Sequence, residues 1–284
     1  MNYLNLPQRV TGGRATRILG EFRPQSGITN VLSFKDVRFI DPFGLIIAAE
    51  YLRYLVFAAE QVAIYLPQDG EVLRYLRRSR FVEFATQLGR VLPESKAFYP
   101  KHQDEDWLLP LTPLRSEEEV PGLVARLYSS LQKLMERSQI MAPGQAAQMS
   151  SLLAELCQNV TQHSFDLGLV AAQVYRTLGS QGEKRTIQIA VGDLGIGLRG
   201  SLAKRYMTVE WSDAKVISQA LAKGVSSVAQ EGRGLGLALV YQKTSEFKGH
   251  ILIRSGTALL ESKAATDLFT QGAYFPGTQI ALEF

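Results

Sequence analysis

Between Thr29 and Leu88, short apolar runs alternate with longer runs of helical periodicity, and this alternation most limits how the chain can fold. Such a pattern is typical of layered α/β proteins. It predicts strands over Val31–Phe34 and Val62–Leu66, and helices over Phe43–Ala59, Gly70–Arg78 and Phe81–Leu88. At 284 residues the chain has room for two modest domains or one large one.

The second half of the chain has its own order of elements. A group of three glutamates at 117–119 precedes a predicted helix over Val120–Arg137, and a second helix is predicted from Gln145 to Phe165. A strand over Thr186–Val191 follows, then a helix capped by Ser212 or Asp213, and late strands over Ile251–Ser255 and Thr278–Phe284. This order predicts an α/β (α+β) sandwich.

The composition of the sequence changes between Pro93 and Pro121, where prolines and other turn-forming residues interrupt the helix and strand patterns. Proline removes a backbone donor and biases the preceding residue away from helix, so this stretch predicts a linker. The expected domains are therefore 1–92, a linker over 93–119, and 120–284.

Several classes of protein are excluded by composition. The longest apolar stretch, Phe43–Ala59, contains Glu50 and Arg53 and falls short of a membrane span. The single cysteine, Cys157, cannot close an intramolecular disulfide, and with only three scattered histidines it cannot build a zinc site. A reducing cytoplasm fits best.

The charge balance argues against a dedicated nucleic-acid surface. A net charge of +4 is spread over the chain, and we do not expect nucleic acid as a partner. The densest basic run holds Arg74, Arg77, Arg78 and Arg80. It is either a solvated helix face, which we favour, or a patch for an acidic partner.

A carboxylate and a carboxamide share one face of the second predicted helix. Glu155 and Asn159 lie four residues apart in an apolar-periodic segment, so both project from the same side. This pair can polarise water and offer oxygen ligands to magnesium. By itself the pair is weak, because this spacing is common on helix surfaces.

Two glycine-rich turns accompany that helix. Asp193-Leu-Gly195-Ile-Gly197 directly follows a strand, where an aspartate can accept from an exocyclic amine. The second turn runs through Gly232, Arg233, Gly234, Leu235 and Gly236 into an apolar helix, where backbone N–H groups suit phosphates. Each turn alone is equally compatible with a simple chain reversal or flexible connection.

A dinucleotide fingerprint also matches formally, from Gly195 to Gly200. Only seven residues separate Gly200 from a short strand at Thr208, too few for a helical crossover. We therefore reject a Rossmann site.

Taken in order, these motifs resemble those of the GHKL superfamily of histidine kinase-like ATPases over about residues 120–284. Glu155 to Ser164 looks like the N box, Asp193–Gly197 the first glycine box, Gly232–Gly236 the second, and Gly277-Thr278 the closing Gly-Thr. The resemblance implies that Asn159 holds magnesium with Glu155 beside it, and that Glu155 acts as general base. It also implies that Asp193 binds the adenine amino group with support from Thr278, and that residues 232–236 cradle the phosphates of ATP.

The same resemblance implies an ATP lid over Gly200–Glu231. Lys204, Arg205, Lys223 and Arg233 are its candidate phosphate contacts. His163 and Gln162 are equally compatible with helix packing and with a ligand contact.

The N-terminal region resembles a STAS domain, the fold of anti-sigma factor antagonists, over about residues 18–90. The resemblance rests on Val37 to Leu45, which looks like the strand, turn and helix start of that family. Pro42 and Phe43 occupy the positions where the family carries hydroxyl groups. Phosphorylation at the usual site is therefore unavailable, because neither side chain offers a nucleophile.

Two functions follow from these resemblances. The first is a nucleotide-dependent switch in signal transduction, which binds ATP and magnesium and acts on a regulatory protein partner. The alternative is an active ATPase, or an anti-sigma-type serine/threonine protein kinase that phosphorylates a separate STAS partner. A histidine autokinase is disfavoured, since Val120–Arg137 contains no histidine. The oligomeric state stays open, with a homodimer as one alternative.

Overall fold

The computed structural model describes residues 1–12, 14, 16, 22–59, 61–68, 70–92, 107–138, 142–179, 182–222, 224–225, 236–264 and 266–284. We call the part up to residue 92 the N-terminal unit and the part from residue 107 the C-terminal unit. Helices are combined with both parallel and antiparallel sheets, so the predicted α/β or α+β class is confirmed.

The N-terminal unit contains a parallel sheet of four strands in the order β1-β3-β5-β6. These strands are β1 (Asn2–Asn5), β3 (Asn30–Ser33), β5 (Val62–Tyr65) and β6 (Arg90–Leu92), while β2 (Arg9–Val10) pairs separately with β4 (Phe39–Ile40). Its helices are α1 (Pro42–Ala58), α2 (Gly70–Arg78) and α3 (Phe81–Thr86).

The C-terminal unit contains an antiparallel sheet of five strands in the order β10-β11-β9-β8-β7. They are β7 (Trp107–Leu114), β8 (Gly168–Gly179), β9 (Gly182–Gly192), β10 (His250–Lys263) and β11 (Thr266–Glu283). Its helices are α4 (Val120–Ser138), α5 (Gln145–His163), α6 (Gly197–Ala203), α7 (Asp213–Ala220) and α8 (Gly236–Glu246).

Helix α1 lies between the two sheets and joins the units. Thirteen of its 17 residues are buried, so it is covered on nearly all sides, as its continuous apolar sequence requires. Asp41 caps its N-terminus, since the Asp41 carboxylate accepts from the Gly44 amide at 2.7 Å, and Pro42 occupies the first turn. The two units therefore share one hydrophobic core.

The five-stranded sheet presents different residues to its two faces, because side chains alternate along a strand. Small residues such as Ala171, Ala190 and Ala281 face the core around α1. Their neighbours Ile189 and Leu282 face the core formed with α4, α5, α7 and α8. Small side chains let α1 approach closely.

The linker prediction over 93–119 is wrong for residues 107–114. They form β7, which pairs with β8 at the edge of the second sheet. Pro110 and Pro113 are tolerated there because an edge strand need not donate a ladder hydrogen bond at every residue. Residues 117–119 form a short 3-10 helix that leads directly into α4, and residues 93–106 lie outside the described part of the chain.

Candidate functional site

Helix α5 presents the predicted acid and amide pair at its solvent-side edge. Its buried face packs into the C-terminal core through Leu152, Leu153, Leu156 and Val160. Glu155 and Asn159 lie beside that face and are half-buried. The four-residue spacing therefore places both polar groups in one partly desolvated position, as predicted.

The start of α8 lies directly against this pair. A Cβ built on Gly236 would stand 2.7 Å from Glu155 Oε2 and 3.7 Å from Asn159 Oδ1. A side chain at this position would therefore require the Glu155 carboxylate to move. Gly236 is the last residue of the second glycine motif, and Gly232, Arg233, Gly234 and Leu235 lie outside the described residues.

Asp193 lies at the end of β9 and is almost completely buried. Its Oδ1 accepts from the Gly195 amide at 2.8 Å, and its own amide donates to the Thr278 carbonyl at 3.0 Å. Burial raises the pKa of the Asp193 carboxyl to about 7, although the hydrogen bond from Gly195 opposes the rise. The group can therefore change its protonation state near neutral pH.

The Gly277-Thr278 turn closes over the first glycine motif. Gly277 has φ of +76°, and a Cβ there would lie 1.9 Å from the Asp193 carbonyl oxygen. Ser255 Oγ donates to the Gly277 carbonyl at 3.2 Å and accepts from the Leu198 amide at 3.1 Å. Asp193 and Thr278, predicted to act together, are adjacent.

The first glycine motif also touches the end of α5. A Cβ on Gly195 would lie 2.0 Å from the Ser164 carbonyl oxygen, which accepts from the Ile196 amide at 3.2 Å. Ser164 is five residues beyond Asn159, or about 7.5 Å along a helix axis. Gly197 lies beside the Gly277 turn. The described residues predicted for the site therefore form two groups, Glu155 and Asn159 with Gly236, and Asp193 with Gly195, Gly197 and Thr278, and Ser164 at the end of α5 connects them.

The acid and amide pair suits a magnesium ion held chiefly by phosphate oxygens. Asn159 Nδ2 is buried and has no hydrogen-bond partner within the described chain, so this donor is available to a ligand oxygen such as that of a phosphate. No group of three or more His, Cys, Asp or Glu in the described ranges could hold a metal. Magnesium often binds through one or two protein oxygens plus substrate phosphates, which is what Glu155 and Asn159 can offer.

The expected lid is largely folded in its described part. Helix α7 is capped by Ser212, whose hydroxyl accepts from the Lys215 amide, and it packs Val216 and Ile217 into the core. Asp213 accepts from Arg199 at 2.8 Å and from the Thr257 amide and hydroxyl. Residues 200–222 are therefore anchored on β10 rather than forming an open loop, while Lys223 and 226–235 lie outside the described residues.

The candidate phosphate contacts in that segment have other neighbours. Lys204 lies over the Phe165 ring at 4.5 Å, and Arg205 over Tyr206 at 5.7 Å. On α5, Gln162 donates to Glu117 at 2.9 Å. Each of these residues therefore has a packing or surface contact in the structure.

One residue of the site was missed by sequence reasoning. Asp166 Oδ2 accepts from the Leu194 amide at 2.8 Å, and its Oδ1 pairs with Arg53 of α1 at 2.7 Å. Asp166 thus fixes the chain immediately after Asp193. The sequence carried no signal for this contact, since Arg53 and Asp166 are 113 residues apart.

The turn that resembles the STAS phosphorylation site is buried. Pro42 and Phe43 face the second sheet, and the Phe43 amide donates to Gln188 Oε1 of β9 at 2.8 Å. Burial raises the pKa of Asp41 in this turn to about 7. A partner could reach the turn only by separating the two units.

Comparison with protein-family models, curated proteins and solved structures found no match to the chain. In the described ranges, no helix has the length and apolar character needed to cross a membrane.

Proposed function

We propose that the chain is a regulator of the histidine kinase-like ATPase type, a nucleotide-dependent switch that binds ATP with magnesium and acts on a protein partner. The observation that carries this proposal is the contact of Gly236 with Glu155 and Asn159. A glycine turn that ends on a carboxylate and an amide offers backbone N–H groups for phosphates and oxygens for the metal.

Asp193 and the residues around it support the binding of the adenine base at the other end of the same site. Asp193 is buried, and one of its carboxylate oxygens is held by Gly195. Its other oxygen can accept from an exocyclic amine, while the close Gly277 turn restricts the loop to one position. Nucleotide would then lie along α5, with its phosphates towards Glu155.

A switch is favoured over turnover by the way the units are joined. The N-terminal unit has no hydroxyl at its Pro42 and Phe43 positions, and this turn is buried against β9. The chain therefore has no phosphate acceptor of its own at that turn. A change in the C-terminal unit would instead reach the partner through the shared core around α1.

An ATPase or a serine/threonine kinase acting on a separate STAS partner is the second candidate. It is supported by Glu155, whose carboxylate lies beside the start of α8 and could act as a general base if the terminal phosphate bound there. Magnesium would supply charge neutralisation on the phosphates, while Glu155 would take a proton from water or from a partner hydroxyl.

Single-turnover hydrolysis of ATP by the wild type and by Glu155→Gln separates the two candidates. The switch predicts nucleotide binding in both proteins and hydrolysis in neither. Hydrolysis by the wild type that is lost in Glu155→Gln, with binding retained, would establish the enzyme instead. Glu136→Gln, on an exposed position of α4, is the matched control.

The cellular compartment and the kind of partner are also part of the proposal. Cys157 is buried as a free thiol, which fits a reducing compartment, and we propose the cytoplasm. The partner is proposed to be a regulatory protein.

A further inference from the structure

Arg53 of α1 lies at the centre of a buried ionic cluster that crosses between the two units. Its guanidinium donates to Glu50 Oε2 at 2.6 Å, to Asp166 Oδ1 at 2.7 Å and to the Leu167 carbonyl at 3.0 Å. Arg53 is 6% exposed and Glu50 is fully buried. Charges removed from water in this way hold their partners in a fixed geometry, because each lost contact leaves a desolvated group.

The cluster continues into the first glycine motif through the second oxygen of Asp166. Asp166 Oδ2 accepts from the Leu194 amide at 2.8 Å, and Leu194 directly follows Asp193. The same turn holds the motif at a second point, where the Ile196 amide donates to the Ser164 carbonyl. An unbroken chain of contacts therefore leads from Arg53 to the loop that carries Asp193.

Arg53 also sets the electrostatics around that loop. Its positive charge opposes the burial-driven rise in the pKa of Glu50, and to a smaller extent the burial-driven rise in the pKa of Asp193. Asp166 and Glu50 each repel a neighbouring carboxylate in this cluster. Removing the guanidinium would leave three acidic groups without their shared cation, and Asp166, which is partly exposed, would be free to turn towards water.

We propose that Arg53 is a positioning residue for nucleotide binding, through which the N-terminal unit controls the adenine end of the site. This inference rests on the proposed function. Arg53 holds Asp166, Asp166 holds the Leu194 amide, and the loop then presents Asp193 in one orientation. Because binding linkage is reciprocal, nucleotide at Asp193 would in turn strengthen the attachment of α1.

The test is a double-mutant cycle on nucleotide affinity. Calorimetry measures the binding of ADP and of ATP with magnesium to the wild type, Arg53→Met, Asp166→Asn and the double variant. We expect each single change to weaken binding about tenfold, within the range of about 5- to 150-fold common for coupled sites. The double variant should be no weaker than the worse single one, because both remove the same chain of contacts.

Leu52→Ala is the matched control for a general loss of stability, since Leu52 is a fully buried neighbour on α1 outside the ionic cluster. It should lower the unfolding midpoint and leave the affinity within about twofold of the wild type, well short of the range for coupled sites. A further readout is the preference for ATP over GTP, which should shrink in Arg53→Met because the adenine end is loosened. Destabilisation alone would not change this preference.

The outcomes distinguish this inference from the proposed function. Unchanged affinity in Arg53→Met, or losses that add in the double variant, would overturn the role of Arg53 while nucleotide binding stands. A wild type that binds no nucleotide would overturn both. If Arg53→Met does not fold, the nucleotide affinities of Asp166→Asn and Arg53→Lys test the role of Arg53 instead. Lysine keeps the positive charge but cannot bridge Asp166 and Glu50 with one planar group.

Discussion

Replacing Gly277 by alanine probes the closest backbone approach in the site. The residue has φ of +76°, and left-handed backbone costs an L-residue about 1–2 kcal/mol. The added methyl would also stand 1.9 Å from the Asp193 carbonyl oxygen, which no rotamer change can relieve because the obstacle is backbone. Overpacking of this kind costs about a further 1–3 kcal/mol. We therefore expect Gly277→Ala to lower the free energy of unfolding by about 2–5 kcal/mol.

Gly27 offers a matched control. It has φ of +75°, and a Cβ there would meet nothing within 4 Å. Gly27→Ala should therefore lose only the backbone contribution of about 1–2 kcal/mol. Urea unfolding followed by circular dichroism gives both values, and their difference isolates the contact with Asp193. Equal losses in the two variants would refute the close approach of the Gly-Thr turn to the first glycine motif.

Two further predictions concern buried charge. Burial raises the pKa of Asp41 and Asp193 to about 7, so the folded state holds protons that the unfolded state releases above about pH 4. The stability that these protonated carboxyls contribute is lost as pH rises through their folded-state pKa values. The urea midpoint of unfolding should therefore fall from pH 5 to pH 8. A midpoint that rises over this window would contradict the raised pKa values. Asp213→Asn should lower the free energy of unfolding by about 1–3 kcal/mol, because it weakens the charge-assisted hydrogen bonds from Arg199. An unchanged midpoint in thermal or urea unfolding would show that the contacts of Asp213 do not anchor α7.

Much of the fold could be predicted from the sequence where one local signal dominates. The continuous apolar run predicted a helix over Phe43–Ala59, and the structure has α1 over Pro42–Ala58. The helix predicted to be capped by Ser212 or Asp213 is present, and Ser212 is its cap. Strand β7 was missed because Pro110 and Pro113 indicate a break in most settings, and only the edge position of that strand makes them acceptable.

The residues of the candidate site likewise divide into those that the sequence could predict and those that it could not. Glu155 and Asn159 could be chosen from their spacing on a predicted helix, and Asp193 from its place directly after a strand. The contact of Arg53 with Asp166 could not, because it depends on how α1 packs on the second sheet, and in the sequence Arg53 is only a charge that interrupts an apolar stretch. The attachment of α7 to β10 could not be predicted either, since Asp213 and Thr257 are 44 residues apart in the sequence.

The central claim is that one nucleotide site is formed by α5, the Asp193 loop and the start of α8. Calorimetry of ATP with magnesium against the folded wild type and Asp193→Asn tests it most directly. We predict saturable binding by the wild type and a loss of about tenfold or more in the variant, the value of a hydrogen bond to a charged acceptor. Absence of binding to the wild type, or equal affinity in both proteins, would contradict the claim.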